Sequence, residues 1–325
     1  MSGSSLLVSE IRAETPLIRR IRLVDPAGKP LAPLASGAHL QFLIPGVADR
    51  RCYSVVQLTT AETAEPAPAA YWIAVRHEEA SRGGSAYMHQ LKVGDTLAVN
   101  EPRNEFPLHA PEAGEGPTVL IAGGIGITPL ASHAAALSAA HRPFVLHYSS
   151  RSRDQLAMVH ELQALCGDAL HLHADDDPAT RMDLAALLGT LRPTQHLYVC
   201  GPKGMIDAAI ALATERGWPK ERIHVELFVE AATQLGDQPF EVELRQSGQV
   251  LQVPADKTIL EVMEDAGCDP LFDCRRGECG VCQVDVLEGV PDHRDYYLND
   301  AERASNKVIQ ICISRARSAR LVLDA

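Results

Sequence analysis

Four cysteines in the last quarter of the chain have a spacing that suits metal binding. Residues 273–282, DCRRGECGVC, contain Cys274, Cys279 and Cys282 in the pattern C-x4-C-x2-C, and Cys312 follows after 29 intervening residues inside an apolar stretch. A short loop can supply three thiolates to a metal centre while a distant strand supplies the fourth. The pattern therefore predicts a four-thiolate site.

The same spacing distinguishes between kinds of metal centre. It matches the interval of plant-type [2Fe-2S] ferredoxins, whereas structural zinc sites usually show paired C-x2-C knuckles. Gly277 and Gly280 suit a loop wrapped around sulfur, because glycine adopts positive φ angles and lets backbone amides come close. A [2Fe-2S] cluster is the main interpretation, with zinc as the rival and four unligated thiols as the plain alternative. Cys268, six residues before the loop, is predicted to be an ordinary packed thiol.

Composition limits the compartment and the partners. The chain has 325 residues, a formal net charge of −12 and eight cysteines, five of which lie between positions 268 and 312. Uneven cysteine use argues against a disulfide framework, and the first residues lack the apolar core of a signal peptide, so we expect a cytoplasmic protein. The negative charge opposes binding to nucleic acid or an anionic membrane surface and favours a protein or small-molecule partner.

Hydrophobic patterns divide the chain into three predicted domains. Short apolar or alternating runs bounded by Gly, Pro or Asp predict a mostly antiparallel β-barrel over residues 1–108. Apolar strand runs then alternate with Ala- and Leu-rich helical stretches over 109–230, which is typical of an α/β domain with a parallel sheet. Residues 231–325 begin with a linker and continue as a small β-rich unit with one principal helix.

Glycines follow two of the buried strands of the α/β domain. Residues 122–129, AGGIGITP, lead from a strand into a helix, where glycines let the backbone approach a pyrophosphate. Residues 199–202, VCGP, end a second strand on the same edge of the predicted sheet, so Cys200 could approach a cofactor ring. Both patterns have a plain alternative, because such turns also occur for packing and a lone strand cysteine is often simple core.

The β domain carries two further candidate motifs. In residues 50–56, RRCYSVV, Arg51 and Tyr53 share one face of a strand and suit a flat, partly anionic ligand, or else form a surface pair. Residues 81–85, SRGGS, contain an arginine, two glycines and two hydroxyls, the ingredients of a phosphate-binding nest or of an ordinary turn.

Taken in order, these motifs resemble those of the phthalate dioxygenase reductase family, within the ferredoxin-NADP reductase-like superfamily. The resemblance covers nearly the whole chain and includes PRNEFPL at 102–108 and HRDYYL at 293–298. It implies a multidomain protein with an antiparallel β-barrel flavin domain that binds FMN, an α/β parallel-sheet nicotinamide domain, and a C-terminal α+β ferredoxin-like domain of the β-grasp type.

The resemblance also implies roles for individual residues. The flavin-ring motif matches Arg51, Tyr53 and Ser54, and the flavin phosphate motif matches Arg82, Gly83, Gly84 and Ser85. The nicotinamide-nucleotide turn matches Gly123, Gly124, Ile125, Gly126 and Thr128, and the strand end that faces the nicotinamide matches Cys200, Gly201 and Pro202. An aromatic near the flavin face matches Phe228, with Glu226 beside it, so catalytic roles are expected for Cys200, Glu226 and Phe228. The cluster ligands match Cys274, Cys279, Cys282 and Cys312.

The implied activity is electron transfer from NADH to FMN, then to the [2Fe-2S] cluster, and then to the Rieske centre of an oxygenase or O-demethylase acting on aromatic acids. A nicotinamide gives two electrons as hydride and the cluster accepts one at a time, so a flavin is needed to divide the pair. Alternatives send the electrons to a di-iron monooxygenase, a P450 or a separate ferredoxin, or make the chain a non-catalytic [2Fe-2S] redox sensor.

Three features depart from the family pattern or are left open by it. Gln57 stands within the flavin motif where the family more usually has Asn. Arg151 and Arg153 follow a strand near the expected adenosine ribose and could bind a 2′-phosphate, whereas the family uses NADH. Arg275 and Arg276, inside the cluster loop, are candidates for contact with the electron acceptor, or else are solvated charges.

Overall fold

The computed structural model of the protein describes residues 4–47, 50–59, 67–79, 81, 83–109, 114–228 and 236–325. The chain divides into two compact units, Met1–Glu226 and Leu227–Ala325. The first unit contains two clusters of buried apolar side chains and the second contains one. Of the predicted domain boundaries, the one at 108–109 falls inside the first unit, and the one at 230–231 lies outside the described residues.

The first part of unit one is an antiparallel barrel. Its elements are β1 (Ser4–Ala13), β2 (Ile18–Val24), β3 (His39–Leu43), β4 (Arg51–Ser54), β5 (Tyr71–Arg76), α1 (Gly84–Gln90) and β6 (Thr96–Val99). The sheet order is β4-β3-β6-β1-β2-β5, with antiparallel neighbours. The outer strands meet where Val55 pairs with Ile73 and the Val56 N–H donates to the Trp72 carbonyl at 2.8 Å. Because closure satisfies both sheet edges, the barrel prediction is confirmed.

A five-stranded parallel sheet follows. Its strands are β7 (Thr118–Gly123), β8 (Phe144–Ser150), β9 (Leu170–Ala174), β10 (Leu197–Cys200) and β11 (Ile223–Glu226), in the order β11-β10-β7-β8-β9. Its helices are α2 (Ile127–Ala139), α3 (Val159–Cys166), α4 (Leu184–Gly189) and α5 (Lys203–Glu215), with 3-10 turns at Gly124–Gly126, Arg153–Gln155, Gly167–Ala169 and Lys220–Arg222. Every residue of β7 is buried, as expected for a central parallel strand covered on both faces.

Helix α2 is the element that joins the barrel and the parallel sheet within unit one. It is buried almost all round, and its side chains share one apolar cluster with residues of both the barrel and the sheet. A run of alanines makes this close approach possible, because small side chains keep neighbouring backbones near one another. The helix begins directly after the nucleotide turn, so its position controls where that turn lies.

Unit two is a small mixed sheet with two helices. Its elements are β12 (Phe240–Leu244), β13 (Gln249–Val253), α6 (Ile259–Asp265), β14 (Gln283–Glu288), β15 (Pro291–Asp292), α7 (Asp300–Ser305), β16 (Val308–Gln310), β17 (Arg315–Ala316) and β18 (Arg320–Leu323). The sheet order is β13-β12-β18-β14-β16, with β12 and β18 parallel. A capping box starts α6: the Thr258 hydroxyl accepts the Glu261 N–H at 3.1 Å, and the Glu261 carboxylate accepts the Thr258 N–H at 2.7 Å. The three architectures of the predicted fold class are thus all present. Among the described residues, no helix has the length and apolar character needed to cross a membrane.

Candidate functional site

The four predicted cluster cysteines come together in unit two. Cys274 and Cys279 lie in the loop between α6 and β14, Cys282 directly precedes β14, and Cys312 follows β16. Pairing of β14 with β16 in antiparallel register brings the last two close, and the Ile311 N–H donates to the Cys282 carbonyl at 3.3 Å. The pairing of β14 with β16 therefore brings the fourth cysteine to the loop, but Cys312 lies in the turn after β16 and not inside the strand as predicted.

Hydrogen bonds divide the four thiols into two pairs. The Cys279 thiol donates to the Cys274 sulfur, which lowers the pKa of Cys274 to about 5, and the Cys312 thiol donates to the Cys282 sulfur, which lowers the pKa of Cys282. The donor thiols, Cys279 and Cys312, have raised pKa values for the same reason. Among the described residues, no three His, Cys, Asp or Glu side chains converge as a site for a single metal ion. Two thiol pairs fit a binuclear cluster in which each iron takes two thiolates.

The loop backbone also suits sulfur ligands. The Arg276 N–H donates to the Cys274 sulfur at 3.3 Å, and the amides of Glu278 and Cys279 point at the same atom. The two loop glycines both have positive φ, +75° at Gly277 and +77° at Gly280. A Cβ on Gly280 would lie 2.3 Å from the Tyr297 ring, so only glycine fits there. Donors aimed at the sulfurs are the surroundings that a thiolate-bound cluster requires.

The two loop arginines are engaged within unit two. Arg276 is 7% exposed, and its Nε lies 3.1 Å from a carboxylate oxygen of Glu278. Arg275 pairs with Glu264, and its guanidinium lies 4.2 Å from the centre of the Phe272 ring. The prediction that Arg276 meets an acceptor or is a solvated charge is therefore wrong, because its guanidinium is buried beside a carboxylate.

The two flavin motifs of the barrel lie side by side. A Cβ on Gly84 would lie 2.9 Å from Cγ of Arg51, so the arginine side chain runs directly over this glycine. Gly83 has a φ of +91° and precedes α1. Arg82 lies outside the described residues. The Ser85 hydroxyl accepts the N–H of Glu78 at 3.1 Å.

The strand of the flavin motif contains a buried hydroxyl whose missing hydrogen bond indicates a ligand-binding site. Ser54 is 4% exposed, and its Oγ has no hydrogen-bond partner in the part of the chain that the structure describes. An orphaned buried hydroxyl costs free energy, so a bound group that accepts or donates there would stabilise the site. Tyr53 is half-buried with its ring 5.6 Å from that of Phe42, and burial raises the pKa of its hydroxyl, which stays protonated. These residues fit a flavin site.

The nucleotide turn and the second strand end lie against one another on the same edge of the sheet. A Cβ on Gly126 would lie 2.2 Å from the Cys200 carbonyl oxygen, and one on Gly201 would lie 2.9 Å from Cα of Gly123. A Cβ on Gly123 would lie 2.6 Å from the Pro202 ring. At these three glycines, close packing of the two strand ends is sufficient to explain the residue type.

Gly124 differs from the other glycines of the turn. Its φ is +54°, and a Cβ there would meet nothing within 4 Å among the described residues. The backbone at this position is therefore open to a ligand, as a nucleotide turn requires. The neighbouring Thr128 hydroxyl donates to the carbonyl of half-buried Ile125 at 3.0 Å and holds the turn together.

The three predicted catalytic residues do not share one described location. Cys200 and Glu226 are direct neighbours across parallel strands β10 and β11, and both are buried at the carboxyl edge of the sheet. Cys200 belongs to the apolar cluster around α2. Phe228 lies in unit two and is 37% exposed.

One side chain that the motif analysis missed connects the flavin strand to the nucleotide helix. Ser132, four residues after Thr128 on α2, hydrogen-bonds to the backbone of both Val55 and Gln57. The available signal was its position one helical turn beyond the nucleotide turn, which places it on the same face of the helix.

Comparison with known proteins bears on this arrangement. Residues 242–317 match the model of a 2Fe-2S iron-sulfur cluster binding domain, and residues 108–223 match that of the dimethylamine monooxygenase subunit DmmA-like N-terminal domain. The chain is 41% identical over 324 residues to the vanillate O-demethylase oxidoreductase of Pseudomonas sp. (strain HR199 / DSM 7063), covering 98% of this chain and 99% of that protein. It is 39% identical over 323 residues to the carnitine monooxygenase reductase subunit of Escherichia coli (strain K12), covering 98% and 97%.

A solved structure matches the chain over its full length. It is phthalate dioxygenase reductase, described as a modular structure for electron transfer from pyridine nucleotides to [2Fe-2S]. The two are 35% identical with a TM-score of 0.70, over 100% of this chain and 98% of that one. The chain belongs to the phthalate dioxygenase reductase family. It is an oxidoreductase, the reductase component of an oxygenase or demethylase system, as predicted. The cluster-domain match confirms the predicted [2Fe-2S] cofactor, and family membership supports the predicted FMN and NADH.

Proposed function

We propose that this reductase takes hydride from NADH and delivers single electrons to the Rieske centre of an oxygenase or O-demethylase that acts on an aromatic acid. One observation carries the proposal: the same chain contains a loop with four cysteines in two hydrogen-bonded pairs, a strand with the flavin motif, and a nucleotide turn whose backbone is open at Gly124. The vanillate O-demethylase relative supports an aromatic acid as the substrate of the complete system. We place the protein in the cytoplasm, since its eight cysteines are distributed too unevenly along the sequence for a disulfide framework.

The residues of the chain would bind and orient the cofactors. A bound flavin would accept hydride and release electrons one at a time, which links a two-electron donor to a one-electron cluster. Arg51 and Ser54 would hold the flavin, with the phosphate end at Gly83 and Gly84 and completed by Arg82. Gly124 would admit the nucleotide phosphates. None of these residues needs to move a proton, so their task is binding and alignment.

We assign the remaining predicted residues to the faces of the two rings. Cys200 and Glu226 would line the nicotinamide site at the carboxyl edge of the sheet, together with Gly201 and Pro202 of the turn that follows β10. The role of Phe228 at the flavin face stays a prediction from the family resemblance, because Phe228 belongs to unit two. We propose NADH as the donor on the strength of family membership; of the two arginines near the expected ribose, Arg153 forms an exposed ion pair with Asp177, with its Nη2 3.3 Å from Oδ2.

The proposal is tested by cofactor analysis and by turnover of the same sample. Acid release of the flavin, with its identification by mass, should give FMN, and iron and acid-labile sulfide should each be two per chain. NADH should reduce the flavin and then the cluster, and should do so in marked preference to NADPH. Zinc in place of iron and sulfide, or no reduction by NADH in a protein with full cofactor content, would overturn it.

A second acceptor class has a specific observation in its favour. The chain is 40% identical over 318 residues to the heme-dependent oxidative N-demethylase beta subunit of Ectopseudomonas mendocina (strain ymp). It also matches part of full-length CYP116B46 from Tepidiphilus thermophilus, at 36% identity and a TM-score of 0.73, over 99% of this chain and 42% of that one. Reduction of purified Rieske and heme oxygenases by the NADH-reduced protein, compared side by side, separates the two acceptors.

A further inference from the structure

A single buried hydroxyl spans the gap between the barrel and helix α2. The Ser132 hydroxyl donates to the Val55 carbonyl at 2.7 Å and accepts the Gln57 N–H at 2.9 Å. Ser132 is 1% exposed, and Val55 and Gln57 are both buried. One side chain therefore satisfies a buried acceptor and a buried donor on the same barrel segment.

Each end of this bridge leads directly to a cofactor motif. Val55 is the residue after Ser54, so the segment that Ser132 holds is the continuation of the flavin strand β4. On the other side, Ser132 lies one turn beyond Thr128 on a helix whose first residue, Ile127, follows the nucleotide turn. The chain therefore runs from Val55 to Ser54 in one step on the barrel side, and from Ser132 to Thr128 along one turn of helix α2 on the other side.

Two further polar contacts between the barrel and the α/β part involve other elements. Arg20 of β2 pairs with Glu161 of α3 at 2.5 Å, which ties a different strand to a different helix. The Tyr198 hydroxyl accepts the N–H of His109 at 2.7 Å, which holds the segment after the barrel to β10. These contacts hold the two parts together at elements other than β4 and α2.

We propose that Ser132 is a positioning residue for hydride transfer: it sets the separation between the flavin strand and the nicotinamide turn. The inference rests on the proposed function, because it needs the flavin at β4 and the nicotinamide at residues 123–128. Hydride transfer is steeply sensitive to alignment, and a displacement of about 1 Å can cost on the order of 100-fold in rate. Loss of the hydroxyl would leave two buried backbone groups to find other partners, and β4 would shift relative to α2.

The test uses the loaded full-length protein and three variants. Ser132→Ala removes the bridge, Ser132→Thr keeps the hydroxyl, and Ser138→Ala is the matched control, since Ser138 is half-buried on the same helix. In stopped-flow mixing with NADH, Ser132→Ala should lower the limiting rate of flavin reduction by about 10-fold to 100-fold, with the NADH dissociation constant nearly unchanged. Ser132→Thr should restore most of the rate and Ser138→Ala should match the wild type. If the threonine variant does not fold, Ser132→Cys, a weaker donor, should give an intermediate rate.

A second readout does not depend on turnover. Amide hydrogen exchange at Gln57 should become faster in Ser132→Ala, with or without bound cofactors, while β4 itself keeps its protection. A limiting rate and a Gln57 exchange rate equal to those of Ser138→Ala would overturn the inference. So would a loss that appears only in NADH affinity. Failure of the wild-type flavin to accept electrons from NADH would instead overturn the proposed function.

Discussion

The four cluster cysteines form two hydrogen-bonded pairs. Each pair consists of the two cysteines that would bind the same iron. Replacing Cys279 by Ser should therefore abolish assembly of the cluster while leaving NADH-dependent reduction of the flavin intact. Cytochrome c reduction through the cluster should fall to background, whereas the flavin absorbance should still bleach in stopped flow. Cys268→Ser is the matched control, because the Cys268 thiol donates to Gln249 at 3.4 Å outside the loop. Iron and sulfide at wild-type content in the Cys279 variant would contradict the ligand assignment.

Two glycines of the nucleotide turn should respond differently to alanine: Gly126 mainly in stability and Gly124 mainly in NADH binding. A Cβ on Gly126 would meet the Cys200 carbonyl at 2.2 Å, and since backbone cannot move aside, Gly126→Ala should destabilise unit one by about 3 kcal/mol or more. In Gly124→Ala the new Cβ would have open space, so the loss of folding stability should be only the cost of the positive φ, about 1 kcal/mol. The same substitution should weaken NADH binding. Urea unfolding and NADH titration of both variants provide the measurement. Unchanged NADH binding in Gly124→Ala would contradict the assignment of Gly124 to the ligand.

At the level of strands and helices, two buried histidines and one half-buried histidine lie in or against the parallel sheet. Burial, followed by the repulsion of neighbouring histidines, lowers the pKa of His133 to about 3, of His147 to about 4 and of His224 to about 3, from an ordinary 6.5. Between about pH 6.5 and 4 the unfolded chain binds protons that the folded chain does not. Stability is therefore full above pH 6.5 and falls as the pH drops, by about 1.4 kcal/mol per pH unit for each histidine.

His133 allows this pH dependence to be tested cleanly. Its ring is fully buried on α2 between Phe106 and Tyr198, and neither ring nitrogen has a hydrogen-bond partner among the described residues. We expect His133→Leu to be at least as stable as the wild type at pH 7.5 and to lose about 1.4 kcal/mol less per pH unit between pH 6 and 4. Urea unfolding at several pH values measures both quantities. Parallel pH profiles for variant and wild type would show that His133 is not buried in its neutral form.

Across the whole molecule, the two compact units have separate apolar cores, and the cluster belongs to only one of them. Cys282 and Cys312 lie within the apolar core of Leu227–Ala325, and none of the four predicted [2Fe-2S] ligands lies in Met1–Glu226. Removal of iron should therefore lower the unfolding temperature of the second unit and leave that of the first unchanged, because metal binding stabilises only the fold that holds it. Differential scanning calorimetry before and after acid treatment with a chelator checks this. An equal shift of both transitions would mean that the units unfold together.

Much of the site could be predicted because its requirements are local in the sequence. The spacing of Cys274, Cys279 and Cys282 is set within nine residues, and the positive φ of Gly277 follows from the tight loop that the spacing demands. Strand and helix periods, with their terminal glycines, were sufficient for the barrel, the parallel sheet and a small β-rich unit at the end of the chain, whereas its ferredoxin-like fold followed from the family resemblance. Each of these signals depends on neighbours along the chain.

The remaining features depend on residues that are distant in sequence. Ser132 contacts a segment 75 to 77 positions away, Arg276 is buried beside a carboxylate, and Gly126 faces the carbonyl of Cys200 while Gly124 faces open space. No local pattern separates two glycines in the same turn or marks one serine on an apolar helix. Periodicity and covalent spacing thus specify which elements form and what chemistry they carry. Packing between those elements specifies which side chains hold the cofactor motifs in place, because close contact and desolvation arise only when the chain is folded.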